Sequence, residues 1–186
     1  MDFRRGDIAY EIADICRRAA AFCYERAGIT VEGVSEGIES IYDATAIKRM
    51  MLNLILYSVT KSRAAYPQVL VKIEKKDDSL AITLISKGSG IGDAGRELRE
   101  ALIEEQEMEL NIVTIFARKH KGSFISTNRQ DGGLTIRVSI PLIIESPDEN
   151  LSSLMVDWYG GMDIVAVEMS GFMPPEAYEA DSAPQS

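Results

Sequence analysis

Cysteine and histidine are nearly missing from this 186-residue chain, which has two of the first and one of the second. Two thiols and one imidazole do not make a Cys/His zinc site. A single histidine, His120, also leaves no room for a Ser/His/Asp or Cys/His catalytic set anywhere else. Cys16 and Cys23 fall on one predicted helix about two turns apart, roughly 10 Å, which is too far for a disulfide. They read as buried free thiols in a reducing cytoplasm. No apolar window of about 18 residues occurs, so no membrane-spanning helix is expected. The polar start, Met1 to Asp7, leads into no signal-like apolar stretch. Positive charge is also short: 20 Lys and Arg stand against 29 Asp and Glu, a formal net charge of −9. Such a surface repels phosphate backbones, and the one basic cluster, Arg118, Lys119 and Lys121, is small, so nucleic acid is not an expected partner. What is present is ordinary globular material, 46% hydrophobic and 26% charged. That is enough for one domain with a real core.

Periodicity divides the chain. Ile8, Ile12, Cys16, Ala19, Ala20 and Cys23 recur at three- and four-residue steps and predict a helix over 7–27, stopped by Gly28. Short strands are expected at 29–34 and 38–42. Asp43 reads as an N-cap for a helix to Lys61 with Ile47, Met51, Leu54, Ile55 and Ser58 facing inward. Strands at 69–74 and 80–86 are joined by a hairpin turn over Lys75 to Ser79, and Gly88 and Gly90 close the second. Residues 94–107 are charged and weakly periodic. Leu110 to His120 predicts another helix, ended by Gly122. A second hairpin follows, 123–127 and 134–140, with Leu134, Ile136, Val138 and Ile140 alternating onto one buried face. Hairpins separated by helices argue for an α+β fold, a two-layer sandwich of a mixed sheet covered on one face by helices. The expected domain ends near residue 143. A C-terminal extension over 144–173 follows, with a short helix at 151–158 and a short strand at 164–167. Trp158 is read as docking that extension on the sheet or, alternatively, as marking an interface. Residues 174–186 are expected to be a disordered tail.

This order carries residues that resemble the histidine-kinase-type ATPase family of the GHKL superfamily. Met51 to Lys61 resembles its N-box helix. Ile82 to Ser86, with Lys87-Gly88-Ser89-Gly90-Ile91, resembles the strand and glycine loop of its first G-box. Leu110 to Val113 and His120 to Gly122 resemble the helix after its second G-box, and Gly133 to Pro141 its last strand. The resemblance implies an ATP site between the N-box helix and a lid. It places Asn53, Lys61, Ser86, Gly88 and Gly90 on the walls of that cleft. Close backbone approach to phosphate calls for glycine and free N–H groups, and magnesium calls for hard oxygen ligands.

Against the family pattern, the second N-box asparagine is Tyr57, one turn beyond Asn53 on the same face. The expected lysine is Thr60, with Lys61 beside it. The adenine-binding aspartate is Ser86. Two glycines of the second G-box are Glu107 and Glu109, whose charge would repel phosphate. His120 matches a helix-end position that is not the phosphoacceptor. The expectation is a degenerate domain in bacterial two-component or related signalling. It would have no catalytic residue, no metal site and no cofactor, and its partner would be another signalling protein. The alternative is the ATP-binding catalytic domain of a sensor histidine kinase, or an anti-sigma-factor-like serine kinase, taking ATP and magnesium.

Overall fold

Two aspartates start the two long helices. Asp7 ends strand β1 (Phe3–Asp7) and caps α1 (Ile8–Cys23), accepting the N–H groups of Ala9 at 3.0 Å and Tyr10 at 3.1 Å. Its second oxygen accepts the N–H of Gly37 at 2.8 Å. Strand β2 spans Gly28–Glu32 and β3 spans Glu39–Asp43. Asp43 caps α2 (Ala44–Lys61), accepting from Ala46 N–H at 3.1 Å. In both places the strand's last residue is the helix cap, which satisfies orphan donors without an intervening loop. The architecture is that of a computed structural model, which describes residues 3–33, 37–62, 64–87, 113, 114, 117, 120–144 and 164–169.

The remaining strands are β4 (Gln68–Lys76), β5 (Ser79–Ser86), β6 (Ser123–Asn128) and β7 (Leu134–Pro141). Five strands form one sheet in the order β2-β4-β5-β7-β6, while β1 and β3 make a separate antiparallel ribbon. β2 runs parallel to β4 and every other pair is antiparallel, so the sheet is mixed. Alternate residues point one way: Val69, Val71, Ile73, Leu80, Ile82, Leu84, Leu134, Ile136, Val138 and Ile140 are all buried. They meet Ile8, Ile12, Cys16, Ile47, Met51, Leu54 and Ile55 of the helices in one core. This is the α+β sandwich that the hairpin-and-helix order predicts. Among the described residues no helix is long and apolar enough to cross a membrane.

Several local expectations need correction. β1 carries no apolar alternation and is held by pairing with β3. α1 stops at Cys23, where the carbonyl takes the N–H groups of both Arg26 and Ala27 at 2.8 Å, and Gly28 opens β2 instead of ending the helix. The 75–79 turn is tighter than expected. Lys76 pairs with Ser79, leaving Asp77 and Asp78, and Asp77 adopts φ 50°. The run at 164–167 is helical, not a strand. It belongs to α3 (Ile164–Glu168), which packs on α1 and α2. Its β-branched residues suit a strand, yet burial against two helices decides the outcome.

Gly122 does end a helical segment, which includes the buried Val113 and Ala117. Its N–H reaches back to the Ala117 carbonyl at 2.7 Å, the long bond of a Schellman close, and Lys121 takes the left-handed position at φ 54°. Glycine is required at 122 by proximity: an added Cβ would stand 2.2 Å from the Ser139 carbonyl oxygen. The expected features at 94–107, 151–158 and 174–186, Trp158 among them, lie outside the described residues, as do Gly88, Gly90, Glu107, Glu109 and Leu110.

Candidate functional site

α2 is built to be surrounded. A helix lying on one sheet face needs only one apolar stripe, but every residue from Met50 to Val59 is buried. Asn53 and Tyr57 lie within this stretch at i and i+4, one above the other, and each is 7% exposed. Lys61 continues the same stripe one turn on, with Nζ 5.4 Å from the centre of the Tyr57 ring. That is cation–π range. Along the stripe Tyr57 therefore comes between Asn53 and Lys61, with its ring against the ammonium group. The hydroxyl of Thr60 turns back on the helix, donating to the Leu56 carbonyl at 2.8 Å. It replaces the expected lysine with a group spent on its own backbone.

The end of α2 is tied to the end of β5. The Ser62 hydroxyl donates to the Lys87 carbonyl at 2.9 Å, and Lys87 N–H donates to the Gln68 carbonyl at 3.2 Å. Lys61 and Ser86, each next to one partner of the Ser62–Lys87 bond, are thereby held at one end of the sandwich. Ser86 is fully buried, and its Oγ accepts the N–H of Leu134 at 3.1 Å. That hydroxyl serves the β5–β7 pairing, where Ser86 stands opposite Leu134. Thus Asn53 and Lys61 share a stripe of α2, and Ser86 lies at the strand end below it. Gly88 and Gly90, the other two expected cleft residues, lie outside the described region.

The chemistry available at this place is limited. Asn53 offers one neutral oxygen, and among the described residues no group of three His, Cys, Asp or Glu side chains is placed to hold a metal ion. The thiols are no nucleophiles: burial pushes Cys16 up to about 12 and Cys23 up to about 11. Sequence reasoning missed the Ser62–Lys87 tie, because a serine after a helix carries no signal of its distant partner. It also missed a charged knot beside α1. There Glu11 pairs with both Arg4 and Lys48, and the Arg4 guanidinium carbon lies 5.6 Å from the centre of the Tyr42 ring. Burial holds the Tyr42 hydroxyl above the usual phenol range, with Arg4 opposing.

No protein-family model and no curated protein matches the chain. Solved structures do. The chain is similar to the catalytic domain of histidine kinase ThkA at 18% identity and a TM-score of 0.60, covering 78% of this chain and 100% of that one. It is similar to full-length ShkA in complex with AMPPNP at 16% identity and a TM-score of 0.61, covering 77% of this chain and 32% of that one. It is also similar to ThkA in complex with the response regulator protein TrrA at 17% identity and a TM-score of 0.57, covering 75% and 42%.

Proposed function

We propose that this chain, which has the fold of a histidine kinase catalytic domain, acts as a degenerate, protein-binding or regulatory module in bacterial signal transduction and does not turn over ATP. One observation carries the reading: the Tyr57 side chain, nearly fully buried, sits on the N-box-like stripe between Asn53 and Lys61. A neutral phenol is a poor magnesium ligand and occupies volume that a ligand would need. Ser86 adds to it, since its hydroxyl already accepts a backbone N–H in the sheet. The similar kinase ThkA is seen with a response regulator. That supports a signalling protein as the partner of this chain. The remnant cleft is assigned to Asn53, Lys61, Ser86, Gly88 and Gly90, in a domain ending near residue 143.

A second reading keeps ATP binding. It draws on the retained Asn53 and Lys61 and on the likeness to ShkA, which is seen with AMPPNP. Thermal melting of the full chain with magnesium and ATP separates the two. Ligand at 100 times its dissociation constant adds about 2.7 kcal/mol, a rise of roughly 5–10 °C for a chain of this size. The proposal expects no rise up to millimolar ATP. A clear rise that Gly88→Trp abolishes refutes it and establishes the nucleotide-binding reading.

A further inference from the structure

β6 is an edge of the five-stranded sheet, and its pairing with β7 leaves a row of backbone groups facing outward. The phase of that row follows from the hairpin turn. Arg129 N–H donates to the Gly133 carbonyl at 2.8 Å, which marks these two as a hydrogen-bonded pair. Antiparallel pairs alternate between bonded and non-bonded. The register continues without a bulge from Asn128↔Leu134 to Ser123↔Ser139. Thr127, Ile125 and Ser123 therefore bond to β7, while Phe124, Ser126 and Asn128 turn their N–H and C=O groups away from it. Among the described residues nothing else bonds to these groups.

An edge strand is ordinarily guarded against further pairing by a charge, a proline, a bulge or a very short length. β6 has none of these. It runs for six residues, Ser123–Asn128, without a charged side chain. Ile125 is 59% exposed on the open face of the sheet, and Ser126, Thr127 and Asn128 are exposed as well. The opposite edge, β2, is shorter and ends in Glu32, which pairs with Lys72 at 3.5 Å.

Two observations point to a second copy of the chain as the occupant. The first is self-complementarity. Antiparallel pairing must oppose residues of one face, with their bonding groups in phase. With Ser126 opposite Ser126 of the second copy, Phe124 falls opposite Asn128. Every outward N–H and C=O of both strands then has a partner. On the open face Ile125 falls opposite Thr127, a β-branched pair at the closer, non-bonded spacing. The second observation is charge. A chain of formal charge −9 repels its copy over most approaches, yet no like charges meet along β6.

We propose that β6 is a self-association edge, through which two copies pair antiparallel about Ser126 and join their sheets into one. Pairing over six residues is small beside the roughly 1,200 Å² that a stable complex buries, so the dimer is weak and depends on concentration. This inference takes nothing from the nucleotide cleft and stands or falls apart from the reading above.

Sedimentation of the full chain tests it. At least half of the chain is expected as dimer at about 1 mM, a concentration suited to a weak contact. Ser126→Pro deletes an outward N–H that β7 does not use, so the fold tolerates it, and association should fall at least tenfold. Ser126→Lys keeps that N–H but sets two ammonium groups face to face, and should weaken association likewise. Ser126→Cys, oxidised with glutathione disulfide, should form covalent dimer at least tenfold faster than Ile125→Cys. Only at 126 do two copies of one residue stand directly opposite, at a Cα separation of about 5.5 Å that suits a disulfide. Cys16 and Cys23 are buried and do not compete. A wild-type chain that stays monomeric at about 1 mM overturns the proposal and leaves the edge to a strand of another protein or to water. Association unchanged by both Ser126→Pro and Ser126→Lys, or cross-linking no faster at 126 than at 125, overturns it too.

Discussion

If Tyr57 fills the cleft in place of a ligand, removing its ring must leave a hole. The side chain is 7% exposed and lies in the main core cluster. Truncating a fully buried aromatic to alanine costs about 3–5 kcal/mol, the transfer loss plus the cavity left behind. The small residual exposure and the better helix propensity of alanine take back part of this, roughly 0.5–1 kcal/mol. Tyr57→Ala is therefore expected to lower unfolding stability by about 3 kcal/mol. Urea denaturation followed by circular dichroism reads this as a shifted midpoint at unchanged slope. A double-mutant cycle with Lys61→Met isolates the ring–ammonium contact, for which about 0.5–1 kcal/mol is expected. A loss below about 1 kcal/mol for Tyr57→Ala would refute the reasoning. The ring would then line an open cleft where water or a ligand can replace it, and the blocked-cleft reading would lose its support.

Other expectations follow from named contacts. Gly122→Ala forces a Cβ against the Ser139 carbonyl oxygen at 2.2 Å; a loss of at least about 2 kcal/mol is expected in the same urea assay, since backbone must move. Asp7→Ala removes the acceptor of the Ala9, Tyr10 and Gly37 N–H groups and should cost about 1–2 kcal/mol, whereas Asp7→Asn should recover most of it. Alkaline pH should unfold the chain through its thiols. The folded values of about 12 for Cys16 and about 11 for Cys23 stand above the ordinary thiol value of 9.0. The unfolded chain therefore releases protons first, and the stabilisation present below pH 9 is lost as pH rises toward 11 and 12. The expected slope is about 1.4 kcal/mol per pH unit for each thiol; if Cys16→Ala leaves the slope unchanged, the assignment is wrong.

The helices and hairpins were open to reading because their signals are local. Asp43 as a cap, the inward stripe of α2 and the alternation of Leu134, Ile136, Val138 and Ile140 all depend on residues within a few positions of one another. The same holds for Asn53, Tyr57 and Lys61, whose shared stripe is a matter of helical spacing alone. Ser86 illustrates the boundary. Its position at the end of a strand was legible, but the use of its hydroxyl on Leu134, 48 residues away, was not.

The sequence by itself determined the α+β class, the order of elements from α1 to β7, the Asp43 cap and the buried, unpaired state of its two cysteines, because periodicity and capping are set by neighbours along the chain. Only the tertiary structure decided three other things. β1 exists because β3 lies beside it. Gly122 is needed because the backbone of Ser139 passes too close for a Cβ. The run at 164–168 is a helix because two other helices offer it an apolar seat. In each of these the deciding contact comes from a segment remote in the chain, and propensity over five residues is too weak to oppose it.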